Sequence, residues 1–315
     1  MDERTEQPTG VRTGVTTGGT AHGPRAGGTD LATDTFIAHR NLLFTVAYEM
    51  LGSASDAEDV LQETWLRWAD VDQETVRDPR AFLVRITTRQ ALTRLRTLRR
   101  RKESYVGPWL PEPLLTAPDV AEDIELADSV SMAMLLVLET LAPTERAVYV
   151  LREVFDLGYD EIAQAVEKSP AAVRQIAHRA RAHVAARRPR VVVSPDQSRS
   201  ALAAFQQAVQ TGDLQGLLDT IAPDVVLLTD GGGIVQAALE PIVGAERVAD
   251  VLSRLASATM RPAQINGYPA LLLSTDGKVN TVLAVRLEYG LITGLYAVRN
   301  PEKLSRIDRE VAVRR

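Results

Sequence analysis

The sequence predicts a multidomain chain, two all-α domains followed by one α+β domain, and three observations carry that prediction. Apolar residues recur with helical period from about Thr35 to Arg188. After the stretch VVVSPDQ the pattern changes to two short helices and then β-rich runs separated by DGGG, TDGK and YG turns. Helices first and strands later within one block is the order of an α+β domain, not of alternating βα units. A length of 315 residues with 45% hydrophobic content is enough for three such cores.

Each element has a local reason. Residues 1–33 are rich in Gly and Thr and lack an apolar run, so a disordered tail is expected. DTFIAHRNLLFTVAYEMLG reads as a helix closed by Gly52. In SDAEDVLQETWLRW, Ser55 and Glu58 have capping-box spacing, which sets the expected helix start at Ser55. Its apolar stripe is Ala57, Leu61, Trp65 and Trp68, and Asp56, Asp59 and Glu63 share another face. A long helix from Arg80 completes a first domain at 34–102. GPWLPEPLLTAPDVAED carries four prolines and reads as a linker within 103–127. A second helical domain spans 128–188, a short linker 189–196, an α+β domain 197–304, and a tail 305–315. In the third domain two helices break at Thr211-Gly212-Asp213. DVVLLT, IVQAAL, ALLLS, KVNTVLAVRLEY and LITGLYAVR then read as strands, with AERVADVLSRLASA as an intervening helix.

Composition narrows the function. Without cysteine, disulfides and thiolate metal sites are excluded, which suits a reducing cytoplasm. No apolar run reaches membrane-spanning length. No metal or cofactor is expected, since His178 and His183 sit among arginines. The formal net charge is -5, yet Arg80 to Lys102 holds nine basic residues and no acidic one, and Arg174 to Arg190 six arginines. Two basic helices in an acidic chain suggest two contacts with a polyanion. The acidic balance argues against strong binding by the free chain and calls for a partner that presents those helices.

LGYDEIAQAVEKSPAAVRQIAHRARAHVAARR holds two helices around the turn Glu167-Lys168-Ser169, with Ser169 as cap and Pro170 in the first turn of the second helix. This is a helix-turn-helix, whose second helix enters the major groove. Arg174, Gln175, His178, Arg179 and Arg181 suit base edges or phosphate. The turn lacks a glycine, so Glu167 must take the left-handed conformation.

Together these segments resemble an extracytoplasmic-function RNA polymerase sigma factor. DAEDVLQETWLRW resembles the polymerase-docking region, DPRAFLVRITTRQALTRLRTLRRR the helix that reads the -10 element, and LAPTERAVYVLREVFDLGYDEIAQAVEKSPAAVRQIAHRARAHV the -35-reading domain. AFQQAVQTGDLQGLLDTIAPDVVLLTDGGG through LYAVRNPEKL resembles a SnoaL-like (NTF2-like) cone-shaped barrel. With WLPEP between the sigma domains, the ordered set is similar to the sigma J, or ECF41, group. The resemblance implies polymerase contacts at Asp56, Asp59, Gln62 and Glu63, and -10 contacts at Arg80, Arg85, Arg89, Arg94 and Arg96. It implies -35 contacts by Ser169 and the residues of the second helix named above.

SnoaL-like relatives include cyclases and isomerases, but no histidine follows His183 and no pair of titratable groups has convincing spacing, so no catalysis is expected. Regulation in cis is expected instead. The linker's Trp109, Leu110, Pro111, Glu112 and Pro113 would meet the third domain at Asp230, Gly231, Gly232 and Gly233 and at Asn300, Pro301, Glu302 and Lys303. Family members of this type often carry a basic residue after the glycines, and this chain has Ile234. Core RNA polymerase and promoter DNA are the expected partners of a working monomer, with a small-molecule ligand in the SnoaL-like pocket left open. Two alternatives stay open here: a ligand-sensing helix-turn-helix regulator without sigma function, and a fused cyclase-like or isomerase-like enzyme.

Overall fold

A computed structural model describes residues 26–117, 124–188 and 193–314. The first helical unit is α1 (Ala26–Leu51), α2 (Ala54–Ala69) and α3 (Pro79–Glu103). The second is α4 (Ile124–Val130), α5 (Met132–Glu139), α6 (Pro143–Tyr149) with a π-helical turn to Val154, α7 (Tyr159–Val166) and α8 (Pro170–Ala185). Their apolar stripes merge into one core that runs from Leu43 and Trp68 through Leu135 to Val184.

Two boundaries differ from expectation. Helix α1 begins at Ala26, and the Ala32 carbonyl accepts from the indole of buried Trp68, so residues 26–33 are not a loose tail; residues 1–25 lie outside the described residues. The cap of α2 is Ser53, whose hydroxyl accepts from Asp56 N, and not Ser55. Ser55 is occupied elsewhere, donating from its N and Oγ to Glu112, while Glu58 pairs with Arg40.

The third unit is α9 (Pro195–Thr211), α10 (Leu214–Thr220), β2 (Ile221–Asp230), β3 (Ile242–Val243), α11 (Ala245–Ser253), β4 (Thr259–Ile265), β5 (Tyr268–Thr275), β6 (Lys278–Glu288), β7 (Leu291–Val298) and α12 (Pro301–Leu304). Gly212 takes a φ of 68° at the expected break. The sheet also takes β1 (Leu115–Thr116) from the linker and β8 (Glu310–Val311) from the C-terminus, in the order β3-β2-β7-β6-β5-β4-β1-β8. IVQAAL, expected as a strand, is turn and loop, and the strand Thr259–Ile265 was not expected. The tail expected at 305–315 is tied down instead: β8 pairs with β1, Val313 enters the helical core, and Arg314 N donates to Thr45 Oγ1 at 3.0 Å.

Alternation along the strands gives the sheet two apolar faces. Leu271, Leu273, Leu283 and Leu295 pack beneath Phe205, Leu217 and Leu252 of the domain's own helices. Ala270, Leu272, Val282, Ala284 and Tyr296 face the other way, onto Leu110 of the linker, Met132 of α5, and Leu304 and Ile307. The second face is therefore closed largely by chain outside the domain expected at 197–304, with Leu304 of α12 beside Leu110, Met132 and Ile307. That packing positions the site.

Candidate nucleic-acid interface

The helix-turn-helix forms as the sequence requires. Glu167 sits at φ 55°, ψ 51°, the Ser169 hydroxyl caps α8 by accepting from Ala172 N, and Pro170 is in the first turn. Val173, Ile176 and Ala177 are buried, which leaves Arg174, Gln175, His178, Arg179 and Arg181 on the exposed side. The Arg174 guanidinium lies over the Tyr159 ring, Arg179 is 3.7 Å from Glu145, and Arg181 donates to Glu153 at 2.8 Å.

Helix α3 starts at the Asp78 cap with Pro79 behind it, so its arginines project at regular intervals. Arg80 and Arg96 are exposed. Arg85 donates to Gln164 Oε1 at 3.2 Å, and Arg89 donates to the Gln164 carbonyl at 2.9 Å and lies 3.4 Å from Glu167. The helix expected to read one element is thus held against the motif expected to read the other. Arg94 points elsewhere, to Asp56 and Asp59 at 2.6 Å each. Of the four residues expected to contact polymerase, Asp56 is buried because α2 and α3 pack together, and Asp59, Gln62 and Glu63 are exposed.

Helix α3 ends at Glu103 and the linker enters a clasp. Asp230 at the end of β2 is 0% exposed. Its Oδ1 accepts from Tyr105 Oη at 2.6 Å, and its Oδ2 accepts from Leu110 N at 2.8 Å and Lys303 Nζ at 2.7 Å. Lys303 also donates to the Leu110 carbonyl at 2.6 Å and lies 3.5 Å from the centre of the Trp109 ring. The Tyr105 and Trp109 rings meet edge to face at 4.6 Å, and Lys102 approaches the same indole. Burial depresses the Lys303 ammonium to about 8, partly offset by Asp230, and burial with the Asp230 bond raises the Tyr105 phenol.

The glycines are steric. A Cβ on Gly231 would lie 2.3 Å from the Val235 carbonyl, and one on Gly232 would lie 2.3 Å from Asn300 Nδ2. Gly233, at φ 73°, backs onto Val106. Asn300 caps α12 by accepting from Glu302 N and donates to Tyr105 Oη at 2.8 Å; Pro301 is in its first turn and Glu302 lies 4.0 Å from Arg101. Ile234 is exposed, and the guanidinium that reaches this loop is Arg299, on the Gln236 carbonyl.

Pro111, Glu112 and Pro113 are buried against the first helical unit. Glu112 N donates to the Gly52 carbonyl, its own carbonyl accepts from Tyr48 Oη at 2.7 Å, and its Oε2 accepts from Ser53 and Ser55 at 3.1 Å. Its carboxylate thus sits at the N-terminus of α2, where helix N–H groups favour negative charge. The helical units also meet directly. Buried Arg146 donates to the Glu49 carbonyl at 2.8 Å and to Glu139 at 2.7 Å, and Lys102 pairs with Glu139. Burial raises the Glu49 carboxyl to about 8, so it is largely neutral at pH 7. Arg146 and Lys102 outweigh burial at Glu139 and hold that carboxyl low.

Sequence reasoning missed Tyr105, Lys102, Tyr48, Glu49, Arg146 and Asn266. An aromatic two residues before Gly at the end of a polar stretch (SYVG) was a signal for Tyr105, and Asn-Gly between two β-rich runs was one for Asn266. The buried charges gave no signal, since they sit on helices whose apolar pattern is otherwise regular.

A helix-turn-helix, an arginine-rich helix beside an acidic one, and a linker joining them define a sigma-70-type transcription initiation factor. Residues 35–101 match Sigma-70 region 2, and residues 131–184 match Sigma-70 region 4. Over 288 residues the chain is 32% identical to the ECF RNA polymerase sigma factor SigJ of Mycobacterium tuberculosis (strain H37Rv), covering 86% of this chain and 92% of that one. It is 34% identical over 281 residues to the probable ECF sigma factor SigI of the same species, covering 87% and 95%. The crystal structure of M. tuberculosis SigJ matches with a TM-score of 0.72 at 29% identity, over 87% of this chain and 99% of that one. The chain belongs to the extracytoplasmic-function sigma factors, with two helical sigma domains and an NTF2-like α+β domain at the C-terminal end. Its partners are core RNA polymerase and promoter DNA. Among the described residues no helix is long and apolar enough to cross a membrane.

Proposed function

We propose that the NTF2-like domain regulates this sigma factor in cis by clasping the linker between regions 2 and 4. The observation that carries the reading is Asp230, buried and bonded at once to Tyr105, the Leu110 amide and Lys303. In the clasped arrangement Arg85 and Arg89 lie on Gln164 and Glu167, so region 2 and region 4 cover part of each other. Binding two separated promoter elements requires them to part, and the clasp sets how readily they do. Arg80, Arg85, Arg89 and Arg96 then face the -10 element, while Arg94, also expected there, stays on Asp56 and Asp59; Ser169, Arg174, Gln175, His178, Arg179 and Arg181 face the -35 element. Asp59, Gln62 and Glu63, with Asp56 behind them through Arg94, form the polymerase-docking face, where charge complementarity supplies orientation and encounter rate.

The same contacts favour a monomer, since the chain's own linker covers the second face of the sheet. A cleft of about 410 Å³, lined by Leu252, Leu273 and Leu283 together with Thr229, Asn280 and Arg299, has room for a small ligand. Such a ligand shifts the clasp only by binding the closed and open arrangements differently.

Run-off transcription with core polymerase tests the regulation. Asp230→Ala in the full chain is expected to change open-complex yield at a cognate promoter by several fold, with specific initiation retained. Unchanged yield refutes the clasp as a regulator, and DNA binding without initiation favours the plain helix-turn-helix reading.

A further inference from the structure

The β4–β5 hairpin turns at Asn266-Gly267, and its tip does more than reverse the chain. Asn266 is 1% exposed and holds a φ of 55°, the left-handed region that Asn and Gly tolerate best. Its backbone N donates to the Leu114 carbonyl at 2.9 Å, and its Oδ1 accepts from Leu114 N at 3.1 Å. Its Nδ2 donates to Tyr48 Oη at 2.6 Å and to the Val130 carbonyl at 2.9 Å. Tyr48 is on α1 in region 2, Leu114 is in the linker, and Val130 ends α4 at the edge of region 4. One amide from the NTF2-like domain therefore touches all three other parts of the molecule at one buried point. Tyr48 passes the connection on by donating to the Glu112 carbonyl, and the next residue, Gly267, donates to Thr116 Oγ1 of strand β1.

Only an amide fits this role. Two donors and one acceptor are used, so Asp would set an acceptor against the Val130 carbonyl, and an apolar side chain would leave Leu114 N and that carbonyl without partners in a buried place. We propose that Asn266 is a positioning residue for promoter recognition: it registers regions 2 and 4 on the linker, and the relative placement of the two DNA-reading surfaces depends on it. This rests on the cis-regulation reading and names the point through which the domain reaches both sigma regions.

The chain has no cysteine, so dyes on cysteines introduced at exposed Glu74 and Ala186 report the separation of regions 2 and 4 in the full-length protein. The parent pair gives one short-distance population. Asn266→Gly keeps the backbone conformation and removes only the amide; it is expected to raise a second, longer-distance population at least tenfold, with far-UV circular dichroism unchanged. Asn266→Asp behaves alike. Tyr48→Phe opens the pair in the same direction, and the double variant adds little to Asn266→Gly because both remove one network. A distance distribution that stays at the parent's in Asn266→Gly overturns the proposal. Loss of the strand signal in that variant also overturns it, since Asn266 is then a folding residue only. If Asp230→Ala alters transcription while Asn266→Gly leaves distances unchanged, this inference fails and the clasp stands; if neither changes anything, both fall.

Discussion

The two faces of the β-sheet have similar apolar patterns and different jobs. One closes on Phe205, Leu217 and Leu252 from the domain's own helices, and its contacts are those of any α+β core. The other closes on Leu110, Met132, Leu304 and Ile307 and is edged by polar groups: Asp230 with Lys303 at one end, Asn266 with Tyr48 at the other. The first face makes the domain fold. The second makes the fold matter to the sigma regions, because apolar area supplies affinity for the linker and the buried polar groups fix its register. A buried ion pair is weak support for stability but strong support for one geometry, since breaking half of it leaves a charge in the core.

Substitutions break this comparison in graded ways. Phe205→Ala on the inner face is expected to cost about 3–5 kcal/mol and melt the NTF2-like domain, read as loss of its thermal transition. Asp230→Ala on the outer face strands the Lys303 ammonium, a loss of up to about 3–5 kcal/mol that opening of the clasp relieves. Faster amide exchange at Leu110, with the inner core still protected, is the expected reading. Lys303→Met strands the Asp230 carboxylate instead, but Tyr105 and the Leu110 amide still donate to it, so a smaller loss than for Asp230→Ala is expected in the same assay.

The junction of regions 2 and 4 sharpens the comparison through pH. The Glu49 carboxyl is raised in the folded chain from 4.5 to about 8 by burial. A raised folded pKa gives stability that is complete below the unfolded value and is lost as pH rises through the folded one. Stability of the closed form should therefore fall from about pH 4.5 to 8, by an amount on the order of a few kcal/mol, and Glu49→Gln should flatten that slope in denaturant titrations. Lys303, depressed to about 8 from 10.5, acts in a separate window, its cost fading as pH climbs above 8. The smallest effect on stability is expected for Asp59→Arg with Glu63→Arg. These exposed charges contribute about 0–1 kcal/mol each to the fold, yet polymerase affinity should drop and the drop should shrink at high salt.

Much of this was legible in the sequence, for identifiable reasons. The helix-turn-helix declared itself through the Ser169 cap and Pro170 at the start of its second helix, both local signals. The linker's tie to the DGGG and NPEKL segments came from family resemblance, and the geometry of Asp230 gives it a physical basis. Three local readings went astray where tertiary contacts overrode pattern. IVQAAL is apolar enough for a strand, but it follows the glycine turn at Gly231–Gly233, and its Ala238 and Leu239 loop beside Gly107 of the linker. TMRPAQI hid as a strand because of Pro262. That residue faces only β5, since β1 joins β4 at Ile265 alone, and at such an edge proline removes no ladder bond. The capping box at Ser55 failed because Glu112, far along the chain, claims that serine.

The central claim is that the NTF2-like domain, through the linker, fixes how the two DNA-reading regions are spaced. It is tested most directly by measuring open-complex yield on a series of promoters that differ only in the length between the -35 and -10 elements. Holoenzyme with the parent chain should show a narrow optimum, and holoenzyme with Asp230→Ala a broader or displaced one. Identical profiles for the two would contradict the account.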